Sequence, residues 1–188
     1  MFMQVPNAEN WINEYGDMLY RFALQRVSNT DAAKDLVQET FLAAWRNKES
    51  FKGEASEKNW LFAILKNKII DHYRKAVNRL TDNISESGEN EDAFYFDEEG
   101  HWTSEAFPRD WAIEPSGKIE AKEFYSVLEK CKGKLKEIQN MVFSMKYMDE
   151  MESEEICKTL NITASNYWVL LHRAKVQLRA CLEKNWFA

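Results

Sequence analysis

The sequence lacks a long apolar run. No stretch of about 18 uninterrupted apolar residues occurs, so we expect no membrane-spanning helix. The N-terminal residues MFMQVPNAEN also lack the basic and apolar blocks of a secretory signal peptide. Cysteine is scarce and odd in number, and Cys131, Cys157 and Cys181 are widely spaced. We therefore predict that the three cysteines are buried or free thiols in a reducing cytoplasm.

Patterns that bind metals or carry out catalysis are missing as well. The histidines, His72, His101 and His172, form no cluster in the sequence, and the cysteines have no metal-ligand spacing. We also find no nucleophile–base set and no phosphate-binding loop. The sequence therefore predicts no metal, no cofactor and no enzymatic activity. Its 188 residues, 45% hydrophobic and 13% aromatic, instead indicate one or two folded domains.

Negative charge is concentrated in one segment. The formal net charge is −6, but residues 81–117 hold eleven acids and one base, which leaves −10 there and +4 elsewhere. Gly, Ser, Pro and acids dominate this segment, so we expect a long linker rather than a domain. It also contains the aromatic residues Phe94, Tyr95, Phe96, Trp102, Phe107 and Trp111. These rings either dock on the chain's own helices or bind a partner.

The segment 31–45 has the pattern of an amphipathic helix. Residues at three- and four-residue steps predict its buried face: Ala32, Ala33, Leu36, Val37, Thr40, Phe41, Ala44 and Trp45. Asn29 or Thr30 can cap its start. The opposite face carries Asp35, Gln38 and Glu39, and Leu42 extends that face with an exposed apolar contact. Residues 10–27 predict a helix that packs against this one, and residues 46–57 predict a loop.

A third helix is predicted over residues 58–80. Leu61, Ile64 or Leu65, Ile69 and Tyr73 repeat at helical spacing and should face the core. Its other side carries the bases Lys66, Lys68, Arg74, Lys75 and Arg79. This charge suits binding to phosphates, although a solvated basic face gives the same pattern.

The C-terminal part predicts further helices, with a break near Gly133 and a short helix over residues 153–160. Asn161 tolerates the left-handed backbone that a tight turn needs, and Thr163 can cap the next helix, which runs to about residue 184. Two helices joined in this way are typical of a helix-turn-helix, although a plain helical hairpin is the alternative. The second helix should expose Ser165, Asn166, Trp168, Val169, His172, Arg173, Lys175 and Arg179.

Three motifs carry a resemblance to a known family. DLVQETFLAAW (35–45) resembles the second conserved region of the extracytoplasmic-function (ECF) sigma factors of bacterial RNA polymerase. Trp60-Leu61-Phe62-Ala63-Ile64, with Asn67, Asp71 and Arg74, resembles the helix that follows in that group. SEEICKTLNIT (153–163) and LLHRAKVQLRACL (170–182) resemble its fourth region. The match covers residues 10–76 and 120–183.

The resemblance implies an all-α fold with two small helical domains, region 2 over residues 10–80 and region 4 over 118–184, joined by the acidic linker 81–117. It implies a sigma factor that directs core RNA polymerase to promoter DNA and melts the minus-ten element. The resemblance also raises an anti-sigma protein as a further partner. Two other interpretations are a dimeric helix-turn-helix regulator and a helical adaptor that does not bind DNA.

The resemblance also assigns residues. The polymerase-binding set is Asp35, Gln38, Glu39 and Leu42. The DNA-binding set is Lys66, Asn67, Asp71, Arg74 and Lys75 in region 2, with Ser165, Asn166, Trp168, Val169, His172, Arg173 and Lys175 in region 4. Family members hold a base turned out of the stack, so we expect Asn67 and the loop 48–59 to recognise it. Phe51 or Trp60 is expected as the aromatic wall, although Trp60 has a competing use as a core residue.

The sequence departs from the family at residues 167–170, Tyr-Trp-Val-Leu, where polar or basic groups are usual. Apolar contact with thymine methyl groups is one interpretation, and packing of Trp168 on a partner is another. The family's linker threads the polymerase active-site and RNA-exit channel, so the acidic aromatic segment is expected to imitate RNA there.

Overall fold

The computed structural model describes residues 8–80, 103–104 and 118–186, and all regular elements in these ranges are helical. In chain order the α-helices are α1 (Trp11–Val27), α2 (Thr30–Arg46), α3 (Glu57–Leu80), α4 (Lys118–Lys132), α5 (Glu137–Tyr147), α6 (Ser153–Leu160) and α7 (Ala164–Asn185), with a 3₁₀ turn at Lys48–Ser50. The predicted all-α class is confirmed. The predicted linker, apart from Thr103 and Ser104, lies outside the described residues. The chain divides into two compact units, residues 1–74 and 75–188.

Capping residues set the turn between α1 and α2. Ser28 adopts a left-handed conformation with φ of 50° and donates its N–H to the Leu24 carbonyl, which ends α1. The Asn29 side chain then accepts hydrogen bonds from the N–H groups of Asp31 and Ala32, at 3.0 and 2.9 Å. Two of the free N–H groups at the start of α2 are thereby satisfied. The predicted cap at Asn29 is confirmed.

Helix α3 is held against α1 by polar as well as apolar contacts. The core of the N-terminal unit contains Leu19, Ala23, Ala33, Leu36, Leu61, Leu65, Ile69 and Tyr73. The Tyr73 hydroxyl donates to the Arg26 carbonyl at 2.9 Å, and the Trp11 indole N–H donates to Glu57 at 2.5 Å. The two bonds join both ends of α1 to α3, so they fix the helix that carries the basic side chains.

The C-terminal unit is built around α7. The predicted inner face of this helix, Tyr167, Leu171, Ala174, Leu178 and Leu182, is buried throughout. Phe124, Val127 and Leu128 of α4 and Phe143 of α5 pack against the same core. The periodicity of α7 therefore predicted its buried side correctly.

The prediction for the cysteines is wrong for two of the three. Cys131 and Cys181 form a disulfide, with Cα atoms 5.8 Å apart, and Cys157 is the free thiol among the described cysteines. The two partners are separated by 50 residues, so spacing along the chain does not indicate the pair. They meet because the end of α4 packs beside the end of α7.

Trp45 was also placed on the wrong side of its helix. Trp45 is 58% exposed, and Lys48 Nζ lies 5.4 Å from the centroid of its ring. Trp45 follows Gln38 by seven residues, which is close to two helical turns, so it lies on the polar face of α2. None of the described helices is both long and apolar enough to cross a bilayer.

Candidate nucleic-acid and protein interfaces

The outer side of α2 presents a ridge that we name the α2 ridge: Asp35, Gln38, Glu39 and Leu42. All four side chains are exposed, and Leu42 is exposed by 55%. Trp45 continues the ridge at its C-terminal end. An apolar pair beside carboxylates is a surface suited to a partner protein, because aromatic anchors supply most of the binding energy in such contacts. Sequence reasoning missed Trp45, although its seven-residue spacing from Gln38 could have revealed it.

A cavity of about 290 Å³ opens between the end of α2, the 3₁₀ turn and α3, and we name it the α2–α3 cavity. Its lining consists of Ala43, Asn47, Ser50, Trp60, Ile64, Asn67, Lys68 and Asp71. The volume is at the lower end of the range of small-ligand sites. The structure therefore brings Asn67 and Asp71, two of the predicted DNA-binding residues, together with Trp60.

Trp60 forms the aromatic part of the lining. Phe51 is buried and packs on Trp60 with ring centroids 5.1 Å apart, and Trp11 meets the same ring edge-on at 5.9 Å. Phe51 is not part of the lining, so it supports Trp60 from behind. Trp60 can therefore be both a core residue and the aromatic wall of the cavity, since one part of the ring packs inward and another faces the cavity.

The polar groups of the cavity differ in their partners. Lys68 Nζ pairs with Glu39 at 3.1 Å, and the Asp71 carboxylate lies 3.6 Å from the Arg74 guanidinium. The exposed Asn67 amide, by contrast, makes no hydrogen bond within the described part of the chain. Asn67 can therefore both donate to and accept from a ligand without breaking an existing bond.

The remaining cations predicted to bind DNA in region 2 lie outside the cavity. Lys66, Arg74 and Lys75 are exposed on α3 and do not line it. These three cations therefore lie along the outside of the helix, away from the cavity.

The turn between α6 and α7 has the geometry that the sequence predicts. Asn161 is left-handed, with φ of 54° and ψ of 46°. The Thr163 hydroxyl accepts a hydrogen bond from the Asn166 N–H at 3.2 Å. Ser153 Oγ donates to the Tyr167 hydroxyl at 3.3 Å and so links the start of α6 to the start of α7. The two helices therefore form a fixed pair.

The outward face of α7 is formed by side chains three, four and seven residues apart: Ser165, Trp168, Val169 and His172, all exposed. Trp168 is 58% exposed and Val169 43%. Leu170, by contrast, is buried, so only part of the unusual apolar run at residues 167–170 faces solvent. The outward face of α7 therefore exposes two apolar side chains, Trp168 and Val169, beside the polar Ser165 and His172.

The other predicted α7 residues lie beside this face. Asn166 and Arg173 are partly buried, whereas Lys175 is exposed with its Nζ 5.4 Å from the Tyr147 ring. Arg179, the most distant of the residues expected to be exposed, is partly buried and pairs with Glu183 at 2.9 Å. Arg173, Lys175 and Arg179 thus lie nearer the C-terminal end of α7 than the outward face does.

Comparison with known proteins identifies both units. The family model for sigma-70 region 2 matches residues 11–79, and the model for sigma-70 region 4 matches residues 125–178. A probable RNA polymerase sigma factor of Haemophilus influenzae is 40% identical over 163 residues, covering 87% of this chain and 83% of the relative. The ECF sigma factor SigM of Bacillus subtilis is 28% identical over 166 residues, covering 88% and 89%.

Among solved structures, the sigma factor RpoE from Bartonella quintana, crystallised with the anti-sigma factor NepR, is similar with a TM-score of 0.44 and 22% identity. The aligned part covers 94% of this chain and 97% of that one. Sigma factors bind core RNA polymerase and promoter DNA and are regulators rather than enzymes. The two family models together cover more than half of this sequence, and the chain therefore belongs to the sigma-70 family of RNA polymerase sigma factors, in its extracytoplasmic-function group.

Proposed function

We propose that this sigma factor binds core polymerase through the α2 ridge and holds one extruded base of the minus-ten element in the α2–α3 cavity. The outward face of α7 then binds the minus-thirty-five element. The observation that carries this proposal is the α2–α3 cavity itself, where an aromatic ring and an amide without a hydrogen-bond partner in the described residues face one small space. Family membership does not favour the dimeric regulator or the non-DNA-binding adaptor.

The chemistry of base recognition supports this use of the cavity. A base turned out of a duplex loses stacking on both faces, and an aromatic wall restores part of it, at about 1–3 kcal/mol per base. The Trp60 ring is available for that contact. The Asn67 amide then offers a donor and an acceptor to one edge of the base, which gives the site a preference among bases.

The experiment that tests this site replaces Asn67 with alanine in holoenzyme assembled from core polymerase and the full chain. Transcription is measured on promoters that carry each of the four bases at every minus-ten position. We expect the base preference at one position to fall by about tenfold, since one amide–base pair contributes about 1–3 kcal/mol of discrimination.

The matched control is Asn78→Ala, an exposed asparagine further along the same helix that does not line the cavity. It should leave the preference at every position unchanged. An Asn67→Ala variant whose selectivity profile equals that of the wild type would contradict the assignment of the cavity.

The α2 ridge has a separate test. Family members dock this region on a coiled coil of the largest polymerase subunit, and the exposed carboxylates of Asp35 and Glu39 are the charges available here for that contact. If these carboxylates face a basic surface of the polymerase, Asp35→Lys should bind core polymerase at least about tenfold more weakly, because like charges across an interface cost several kcal/mol. Glu39 is kept, since it pairs with Lys68 of the α2–α3 cavity. Glu49→Lys, an exposed charge reversal outside the ridge, should bind normally.

Phosphate contacts are tested by salt dependence. If Lys66, Arg74 and Lys75 neutralise phosphates, each alanine variant should weaken promoter binding for all sequences alike. The slope of the logarithm of affinity against the logarithm of salt concentration should fall by about 1 for each contact removed. Variants of the outward α7 face, such as Trp168→Ala, should instead change which minus-thirty-five sequence is preferred.

Three further parts of the proposal rest on sequence and family membership. The chain acts in the cytoplasm without catalytic activity of its own, and an anti-sigma protein binds it. The acidic segment 81–117 reaches the active-site channel, so deletion of residues 91–99 should alter initial transcription more than promoter binding. Loss of promoter binding in that deletion would count against this role.

A further inference from the structure

A disulfide bond closes a loop of chain that contains the helix-turn-helix. Cys131 lies in the last turn of α4 and Cys181 near the end of α7, and the two form a disulfide. They are 50 residues apart in the sequence. The segment between them contains α5, α6 and the part of α7 that carries its outward face. The bond therefore closes a loop around the elements that bind DNA in the proposed function.

The two cysteine residues differ in exposure. Cys131 is buried, with 2% of its surface exposed, whereas Cys181 is only partly buried. The Asn185 side-chain amide donates to the Cys181 carbonyl oxygen at 2.6 Å and makes a longer contact of 3.5 Å with Cys181 Sγ. Exposure is one of the properties that govern the reactivity of a cysteine. Cys181 is therefore the sulfur that an external thiol or disulfide reaches first.

The surroundings allow the bond to open without moving the helices apart. Leu135, Ala174, Leu178 and Leu182 pack around the pair, and these contacts do not depend on the bond. The Cα separation of 5.8 Å lies within the range of ordinary disulfides, so closure needs no backbone shift either. The same packing therefore suits both the disulfide and the two thiols.

We propose that Cys131 and Cys181 form a reversible thiol–disulfide site whose redox state sets the stability of the DNA-binding unit. Sigma factors work beside polymerase and DNA, among reduced thiols, and disulfides found there are usually transient or redox-sensing. The effect on promoter binding rests on the proposed function of α7, whereas the chemistry of the cysteine pair does not.

The co-reactant is a small-molecule disulfide, such as oxidised glutathione. The Cys181 thiolate attacks one of its sulfurs, a mixed disulfide forms, and one glutathione thiolate leaves. The Cys131 thiolate then attacks Cys181 Sγ, which forms the protein disulfide and releases the second glutathione. Two electrons pass from the cysteine pair to the oxidant, and the two protons of the cysteines end on the released thiols. Reduction by two glutathione molecules reverses both steps.

The first experiment titrates the full chain in buffers of graded reduced and oxidised glutathione, followed by acid quenching, alkylation and mass spectrometry. We expect the Cys131–Cys181 bond to form and open reversibly in the folded protein. Cys157→Ser, which removes the free thiol of α6, should leave this titration unchanged. A pair that stays fully reduced, or fully oxidised, in every buffer would overturn the proposal.

The order of attack is tested with single variants. Cys131→Ser should accumulate the mixed disulfide at Cys181, whereas Cys181→Ser should leave Cys131 at least about tenfold less reactive because it is buried. Equal reaction of the two variants would contradict the assigned role of Cys181.

Stability is measured without any substitution, by hydrogen exchange of the oxidised and reduced wild-type chain. After reduction, the amides of α4 to α7 that exchange through unfolding of the C-terminal unit should exchange at least about tenfold faster, because the loop of 50 residues is no longer closed in the unfolded chain. Amides of α1 and α2 should not change. Equal exchange in the two states would show that the bond does not control stability.

Holoenzyme binding to a minus-thirty-five duplex gives the functional readout. We expect it to weaken severalfold on reduction in the wild type and to be insensitive to redox state in the double variant Cys131→Ser, Cys181→Ser. Identical wild-type binding in both states would overturn the regulatory consequence. Failure to bind in either state, with a normal cysteine titration, would instead overturn the proposed function of α7 and support the redox site.

Discussion

The hydrogen bond between α3 and the end of α1 leads to a quantitative prediction. The Tyr73 hydroxyl is buried and donates to the Arg26 carbonyl at 2.9 Å, across 47 residues of sequence. That carbonyl belongs to the last turn of α1, where carbonyl groups have no partner within the helix. Tyr73→Phe removes the donor and keeps the ring. We expect a loss of about 1–3 kcal/mol in the free energy of unfolding, because a buried hydrogen bond between the two helices is removed.

Hydrogen exchange on the full chain measures this loss locally. Exchange of the protected amides of α1 and α3 should accelerate about tenfold for every 1.4 kcal/mol lost. Amides of α7 serve as an internal reference and should keep their rates. In thermal unfolding, a loss of 1 kcal/mol should lower the melting temperature of a unit of this size by about 4–8 °C.

Tyr20→Phe is the matched control. Tyr20 lies on α1 and makes no hydrogen bond within the described residues, so its hydroxyl should contribute less than about 0.5 kcal/mol. If both variants destabilise the unit equally, or if Tyr73→Phe matches the wild type, the hydrogen bond does not fix α3 and the reasoning fails.

Three further predictions concern caps, backbone and core. Thr163→Ala should cost the C-terminal unit about 1 kcal/mol, whereas Thr163→Ser, which keeps the hydroxyl cap, should cost less; chemical denaturation distinguishes them. Asn161→Ala should destabilise the same unit by about 1 kcal/mol because φ is positive there, and Asn161→Gly should not. Leu65→Ala should cost about 2–5 kcal/mol because Leu65 is fully buried, whereas Leu42→Ala should leave stability nearly unchanged and weaken polymerase binding.

The sequence alone determined the helices, two of their caps and most of their buried faces. Tyr167, Leu171 and Ala174 repeat at helical spacing, and burial of a helical face follows from such a repeat whatever partner covers it. The caps at Asn29 and Thr163 are similarly local, because each side chain bonds to an N–H group two or three residues away. The residues of the three motifs and their order along the chain also indicated the family. These features were predictable because they depend on short stretches of chain.

Only the tertiary structure decided which distant residues meet. The α2–α3 cavity draws its lining from residue 43 to residue 71, and Trp60 lines it because Phe51 and Trp11 pack against that ring. The pairing of Cys131 with Cys181 depends on how α4 packs on α7, which no spacing along the sequence encodes. The exposure of Trp45 was decided in the same way: an aromatic ring at the end of a helix is buried only where a neighbouring element covers it, and none of the described residues buries this one.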